Sequence, residues 1–230
     1  MTDALDPTAS KSGTAYTALR DAIMENALKP GTKLPEDALG RSFGVSRTLI
    51  RSALQRLASE GLVEVGRTKS ARVAEPSREE AHEAFAVRRA LERATVATLA
   101  HDWRTEFEAP LREHIEAERE ASAAGDHRRS VRLGAEFHLL LAQLTDNALL
   151  LRYLSEVVSR CTLILAVFGH SHPQTEGLLE HEELVEAMAA GDAERAAAIV
   201  DGHIEAVEER ALGAEEPGGS LDEVLARYRR

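Results

Sequence analysis

Two groups of residues in this chain have the types and spacing to do chemistry. The first lies in GVSRTLIRSALQRL, residues 44–57, where Arg47, Thr48 and Arg51 share the polar face of a short helix with Ser52 and Gln55. Arginine can donate two hydrogen bonds to a guanine edge, and threonine and serine serve as smaller contacts, so this face suits a DNA major groove. The second group is His138, His181 and His203. His138 shares a helix face with Gly134 and Leu141, His181 lies between Leu178 and Val185, and His203 lies among Ile199, Val200 and Val207, so each points inward. A lone inward histidine is usually a hydrogen-bonded core residue. Three on three different helices are costly to bury if charged and are good ligands if neutral, so a divalent-metal site (zinc, nickel or manganese) is the sharper expectation. Arg88 and Arg160 are candidates to hold a ligand carboxylate in the guanidinium fork, with ion pairs to Glu92 and Glu156 at i, i+4 as the equal alternative. His170 and His172, in GHSHPQT, form a further pair of metal-ligand type.

The elements that must position these residues can be read from periodicity and caps. Tyr16, Leu19 and Ile23 mark an amphipathic helix that LKPGTKLP ends, and a second short helix spans about Glu36 to Phe43. Gly44 breaks the chain, Ser46 is a good N-cap, and Leu49, Ile50, Ala53, Leu54 and Leu57 form the buried stripe of a third helix that Gly61 ends. LVEVGRTKSARV then reads as two short strands around a basic turn, where Arg67 and Lys69 would meet phosphate or the minor groove. Three helices and a basic hairpin make a winged helix-turn-helix. Pro76 ends the hairpin, and Ser77 with Glu80 forms a capping box opening a helix to about Ala100. Further helices are expected at about 106–124, 128–145, 147–168, 175–190 and 193–212, followed by a PGGS linker and a short helix capped by Ser220. The expected fold is mostly α. It comprises a disordered arm at 1–12, the DNA-binding domain at 13–75, an all-α helical bundle at 76–212, and a linker with a terminal helix at 213–230.

Composition bounds the function classes. The 230 residues are 43% hydrophobic and only 4% aromatic, which favours helices over sheets. The net charge of −11 argues against nucleic acid until it is divided by segment. Residues 13–73 hold ten basic and six acidic residues, whereas 76–230 hold 17 basic and 30 acidic ones together with all nine histidines. Two segments of such different chemistry imply two jobs. The single cysteine, Cys161, excludes an intrachain disulfide and reads as a small core residue. The N-terminus has acids where a signal peptide has a basic start, and no apolar run approaches the ~18 residues of a membrane span, so a cytoplasmic protein without membrane contact is expected.

The run LKPGTKLPEDALGRSFGVSRTLIRSALQRLASEGLVE resembles the DNA-binding domain of GntR-type transcription regulators. That resemblance implies operator contact by Arg47, Thr48 and Arg51, with backbone contacts from Ser46 and the wing. Asn26 stands where a glycine is common, and Ser70 replaces the usual wing-tip glycine. More loosely, VRRALE, EFHLLLAQLTDN, EHEELVEAMAAGDAERA and DGHIEAV resemble the helical FCD effector domain of the FadR branch. There the resemblance implies a pocket for small organic acids and a metal held by one Asp and three His, matched by His138, His181 and His203, while Arg88 matches an arginine of the first effector helix. The Asp position is Gly134 here, and Glu136 faces elsewhere on the helix. The expected function is a ligand-responsive regulator, more a repressor than an activator. It would bind double-stranded operator DNA as a homodimer under control of a small carboxylate effector. The alternatives are a metal-dependent hydrolase with three histidine ligands on a DNA-binding module, and a constitutive DNA-binding protein with a vestigial pocket.

Overall fold

The computed structural model describes residues 7–66, 70–169 and 175–213, and among these the chain forms nine α-helices and one three-stranded sheet. Helix α1 (Pro7–Met24) starts on a proline, whose fixed φ and missing N–H suit a first helical position. Residues 7–12 of the expected disordered arm are therefore helical. Helices α2 (Glu36–Phe43) and α3 (Arg47–Ser59) meet at Gly44, which takes the left-handed conformation at φ +64°. The Ser46 hydroxyl accepts from the Leu49 N–H at 3.4 Å to cap α3. Gly61 (φ +72°) ends the turn after α3, and its N–H and that of Leu62 donate back to the Ala58 and Leu57 carbonyls.

Strands β1 (Lys33–Leu34), β2 (Val63–Glu64) and β3 (Ala71–Val73) form an antiparallel sheet in the order β1-β3-β2, with Leu34 opposite Ala71 and Val63 opposite Val73. β1 was not expected, because two residues are too few to display alternation. Its buried Leu34 joins Tyr16, Leu19, Ile23, Ile50, Leu54, Leu57 and Val73 in a small core. The wing tip with Arg67 and Lys69 lies outside the described residues, as do His170, His172 and the expected terminal helix.

The second unit is a bundle of α4 (Arg78–His101), α5 (Glu108–Ala123), α6 (His127–Leu144), α7 (Ala148–Phe168), α8 (Thr175–Ala189) and α9 (Ala193–Leu212). The Ser77 hydroxyl accepts from the Glu80 N–H at 3.1 Å while the Glu80 carboxylate accepts from the Ser77 N–H at 2.9 Å, which completes the expected capping box. Asp126, Asn147 and Asp192 cap α6, α7 and α9 by accepting from the N–H of Arg129, Leu150 and Arg195. Helix α4 packs against α9 and α7, burying Phe85, Val96 and Leu99 in the larger core. No helix among the described residues is long and apolar enough to cross a membrane.

The two units meet where α1 ends. Met24 of α1 is buried in the larger core, and Leu163 of α7 is buried in the smaller one. Asn26 has φ +54° and its side-chain amide donates to the Ala166 carbonyl of α7 at 3.4 Å. Asparagine tolerates this left-handed conformation and adds a bond across the joint that glycine cannot make. Beside it, Arg132 of α6 donates to Glu25 at 2.9 Å and reaches Glu136 at 3.2 Å. Asn26→Gly should keep the turn and melt within about 2 °C of wild type. Asn26→Val should lose about 1–2 kcal/mol, because a β-branched residue is strained at positive φ. Equal melting temperatures for the two variants would refute this account of the turn.

Candidate functional site

On α3 the residues Arg47, Thr48, Arg51, Ser52 and Gln55 are all exposed, while Ile50, Ala53, Leu54 and Leu57 are buried. The helix thus presents one polar face at its N-terminal half, with its packing on the other side. Acids of α2 align the two arginines. Arg51 donates from Nε and Nη2 to the Glu36 carboxylate at 2.9 and 2.8 Å, and Arg47 Nε lies 3.0 Å from Asp37. The hydrogen bond from Arg51 holds the Glu36 carboxyl below the usual range. The third arginine of the helix does something else. Arg56 lies 3.7 Å above the Tyr16 ring and 3.4 Å from Glu60, fastening α3 to α1.

The three inward histidines converge. Their ring centroids lie 5.0 to 5.1 Å apart in a near-equilateral triangle, and one nitrogen from each falls within 4.8 Å of the others. All three are buried. Each outer nitrogen faces its own carboxylate. His138 Nδ1 is 2.6 Å from Glu92 of α4, His181 Nδ1 donates to Glu118 of α5 at 3.0 Å, and His203 Nδ1 donates to Glu180 of α8 at 2.7 Å. A carboxylate only accepts, so the proton of His181 and that of His203 sits on Nδ1 with Nε2 turned inward, while His138 sets its Nδ1 against Glu92 and its Nε2 toward the other rings. His138 Nε2 and His203 Nε2 are 3.2 Å apart, and His181 Nε2 is buried without a hydrogen-bond partner.

Burial acts most strongly on two of the histidines. It pushes His138 down to about 4 against the pull of Glu92, and pushes His203 well below its ordinary value with help from the other two rings. For Glu92, burial alone would raise the carboxyl, but Arg88 and then His138 outweigh it and hold it at about 2. Burial thus favours the neutral, lone-pair-bearing form of His138 and His203, and carboxylates orient all three rings from outside. This donor set fits zinc, nickel or manganese, for which metal–nitrogen bonds of about 2.0–2.1 Å place neighbouring ligand nitrogens roughly 3 Å apart.

A cavity of about 40 Å³ opens on the cluster, lined by the three histidines, Arg88, Gly134, Thr162 and Arg210. Arg88 is buried, donates from Nε to Glu92 at 2.6 Å, and so is both ion-paired and on the cavity wall. Arg160, the other candidate for a ligand carboxylate, does not line this cavity. Its Nη2 lies 3.5 Å from Glu80, and it lines a separate cleft of about 410 Å³ with Gly61, Val87 and Tyr153. Thr162 and Leu165 take the cavity face of α7, and position 160 lies about 200° around the helix from Thr162. Glu156 pairs instead with Arg152 at 3.2 Å.

Sequence reasoning missed Glu118, Glu180 and Arg210, and treated Glu92 only as a partner for Arg88. Two of these left a signal. Glu118 lies on the buried stripe of α5 with Leu111, Ile115 and Ala121, where an acid is out of place without a partner. Arg210 follows His203 by seven residues, two turns along α9 and so on the same face. Glu180 left none, because it precedes His181 in sequence but serves His203 across the bundle.

With this geometry in place, comparison with known proteins is decisive. Residues 11–73 match the family of bacterial regulatory proteins of the gntR type, and residues 83–206 match the FCD domain. The chain belongs to the GntR family of transcriptional regulators. It is similar to the probable D-xylose utilization operon transcriptional repressor of Paenarthrobacter nicotinovorans, at 28% identity over 84% of this chain and 87% of that one. It is also similar to the HTH-type transcriptional regulator LutR of Bacillus subtilis, at 31% identity over 81% of this chain and 94% of that one. A putative GntR transcriptional regulator from Rhodococcus sp. RHA1 shares the fold with a TM-score of 0.77 and 26% identity, covering 89% of this chain and 99% of that one. As a GntR-family regulator with an FCD domain, the protein brings a DNA-binding helix and a buried histidine cluster into one chain. Arg47→Ala and Arg51→Ala should each weaken specific operator binding about 5- to 100-fold, while the exposed pairs they break leave the melting temperature within about 2 °C. Operator affinity unchanged in both variants, measured by fluorescence anisotropy, would remove α3 as the reading helix.

Proposed function

We propose that the protein is a ligand-responsive transcriptional repressor that binds a pseudo-palindromic operator as a homodimer and senses a small carboxylate at the histidine cavity. One observation carries this reading: the cavity is walled by α6 and α7, the two helices on which α1 of the DNA-binding unit rests. His138, His181 and His203 would hold a divalent metal, zinc, nickel or manganese, which when bound supplies a fixed positive charge for an anionic ligand. Arg88, oriented by Glu92, offers that ligand a guanidinium, and Arg210 brings a second one to the same wall.

The cavity of about 40 Å³ has room for roughly one or two waters, so an organic acid enters only as the helices part. Arg132 lies six residues before His138 on α6 and passes such a shift to Glu25 of α1. In a dimer, a small reorientation changes the spacing of two α3 helices that must sit about 34 Å apart on successive half-sites. Exposed Val87 and Tyr153, on α4 and α7, form an apolar edge that a second copy of the chain would cover. Ser46 and Thr48 stand at the α3 N-terminus for phosphate or base contact, and Arg67 and Lys69 of the wing add basic charge. The name of the Paenarthrobacter relative supports repression as the sign of control. Hydrolysis is disfavoured because Glu92, Glu118 and Glu180 each face a histidine Nδ1, which leaves none of them free to act as a general base on water.

After chelation, wild type should gain about 5–10 °C in melting temperature with excess zinc, nickel or manganese. His138→Ala, His181→Ala and His203→Ala should lose that gain. A wild type indifferent to all three ions would remove the metal from this reading. The coupling has its own test. A carboxylate that changes wild-type operator affinity tenfold or more should bind Arg132→Ala equally well yet change its operator affinity less than about threefold. Full coupling in that variant would exclude the Arg132–Glu25 contact as the link.

A further inference from the structure

Position 134 lies one turn before His138 on α6 and has no side chain. A Cβ placed there would stand 3.2 Å from Oε1 of Glu118, 3.9 Å from its Cδ and 4.0 Å from His181 Cε1. The space beside the histidines that this residue would fill is therefore taken by an acid from another helix. Glu118 is 1% exposed, and its only ion-pair partner among the described residues is His181. The other two carboxylates of the cluster are differently placed: Glu92 is paired with Arg88, and Glu180 is partly exposed and feels the charge of Arg210. Glu118 is thus the one fully buried acid of the cluster with no guanidinium beside it. A buried carboxylate in that position calls for a cation on the far side of the imidazole it holds.

We propose that Glu118 is the charge-balancing carboxylate of the metal centre and that Gly134 is glycine because Glu118 occupies its side-chain space. The proposal rests on the reading of His138, His181 and His203 as metal ligands. Glu118 acts through His181. By accepting from Nδ1 it fixes the ring with Nε2 toward the other two nitrogens, and its charge makes that nitrogen a better donor to a cation. The bundle delivers this acid from α5, whose buried stripe of Leu111 and Ile115 aims Glu118 at the cluster, while the Arg119 side chain beside it pairs with Glu182 of α8 and keeps the two helices in register.

The test uses the full-length protein, stripped of metal and titrated calorimetrically with nickel and with zinc, together with melting of the metal-free forms. Glu118→Gln keeps the shape and removes the charge, and it should weaken metal binding about 10- to 100-fold without lowering the metal-free melting temperature. Gly134→Asp sets a second carboxylate against Glu118 and should weaken binding and lower the metal-free melting temperature. The double variant Glu118→Ala/Gly134→Asp should recover metal affinity to within about tenfold of wild type, above either Glu118→Ala or Gly134→Asp alone. Glu118→Gln binding metal as tightly as wild type would overturn the proposal while leaving the histidine site standing. Gly134→Asp tightening metal with Glu118 in place would overturn the shared-space argument. A wild type that takes up neither ion would overturn the histidine site itself, and this proposal with it.

Discussion

Three buried imidazoles brought within about 5 Å of one another keep that arrangement only if each ring is fixed by a hydrogen-bonding or ionic partner outside the triangle. Here the outside is handled by three carboxylates, and it takes most of the bundle to supply the set. Glu92 comes from α4, Glu118 from α5, His138 from α6, His181 and Glu180 from α8, and His203 from α9. The remaining helix, α7, closes the cavity with Thr162 and Leu165. Helix lengths, caps and the larger core are what keep these groups within the 5 Å triangle of the rings. Phe137 stacks on His181 at 4.1 Å between centroids, so the residue next to His138 on α6 also fixes the ring from α8.

The same helices also join the cavity to the DNA-binding unit. Along α6, Arg132, Gly134 and His138 place the joint with α1, the acid-filled gap and the ring in less than two turns. Along α7, Thr162 faces the cavity while Leu163 is buried in the core of the DNA-binding unit. A rigid helix cannot change one of these contacts without changing the next, and close-packed interiors respond by switching between arrangements instead of deforming smoothly. That is a physical warrant for coupling: the cavity wall and the support of α1 are one pair of helices.

The fold was largely legible in the sequence because it is built from long periodic helices with side-chain caps, and Ser46, Ser77, Asp126, Asn147 and Asp192 all cap. What sequence reasoning lost was short or non-local. β1 is two residues long, and the start of α1 at Pro7 lacks an apolar stripe to announce it. The histidines were readable as inward-facing on three helices, but their convergence is a tertiary fact, and their carboxylate partners come from α4, α5 and α8. Gly134 looked like the loss of a carboxylate. In the fold it is the opening through which one arrives, since Glu118 stands 3.2 Å from where its Cβ would be. That Arg160 and Arg88 line different clefts was not legible, because spacing along a helix gives a face only relative to its neighbours, and on a helix as apolar as α7 both faces look inward.

The uneven charge of the chain now has a physical role. The bundle segment holds 30 acidic against 17 basic residues, so its surface is repelled by phosphate, while the DNA-binding segment has a basic excess. Diffusional encounter with DNA is therefore biased toward the face that carries α3 and the wing, and away from the effector bundle. On that face the arginines proposed to read DNA stand in exposed pairs with Glu36 and Asp37. Such pairs are weak in water, so phosphate and guanine edges would compete with them at little cost. On the proposed reading, placing Arg47 and Arg51 on one short helix confines the affinity of an acidic protein for DNA to one small surface, which rests through the end of α1 on α6 and α7.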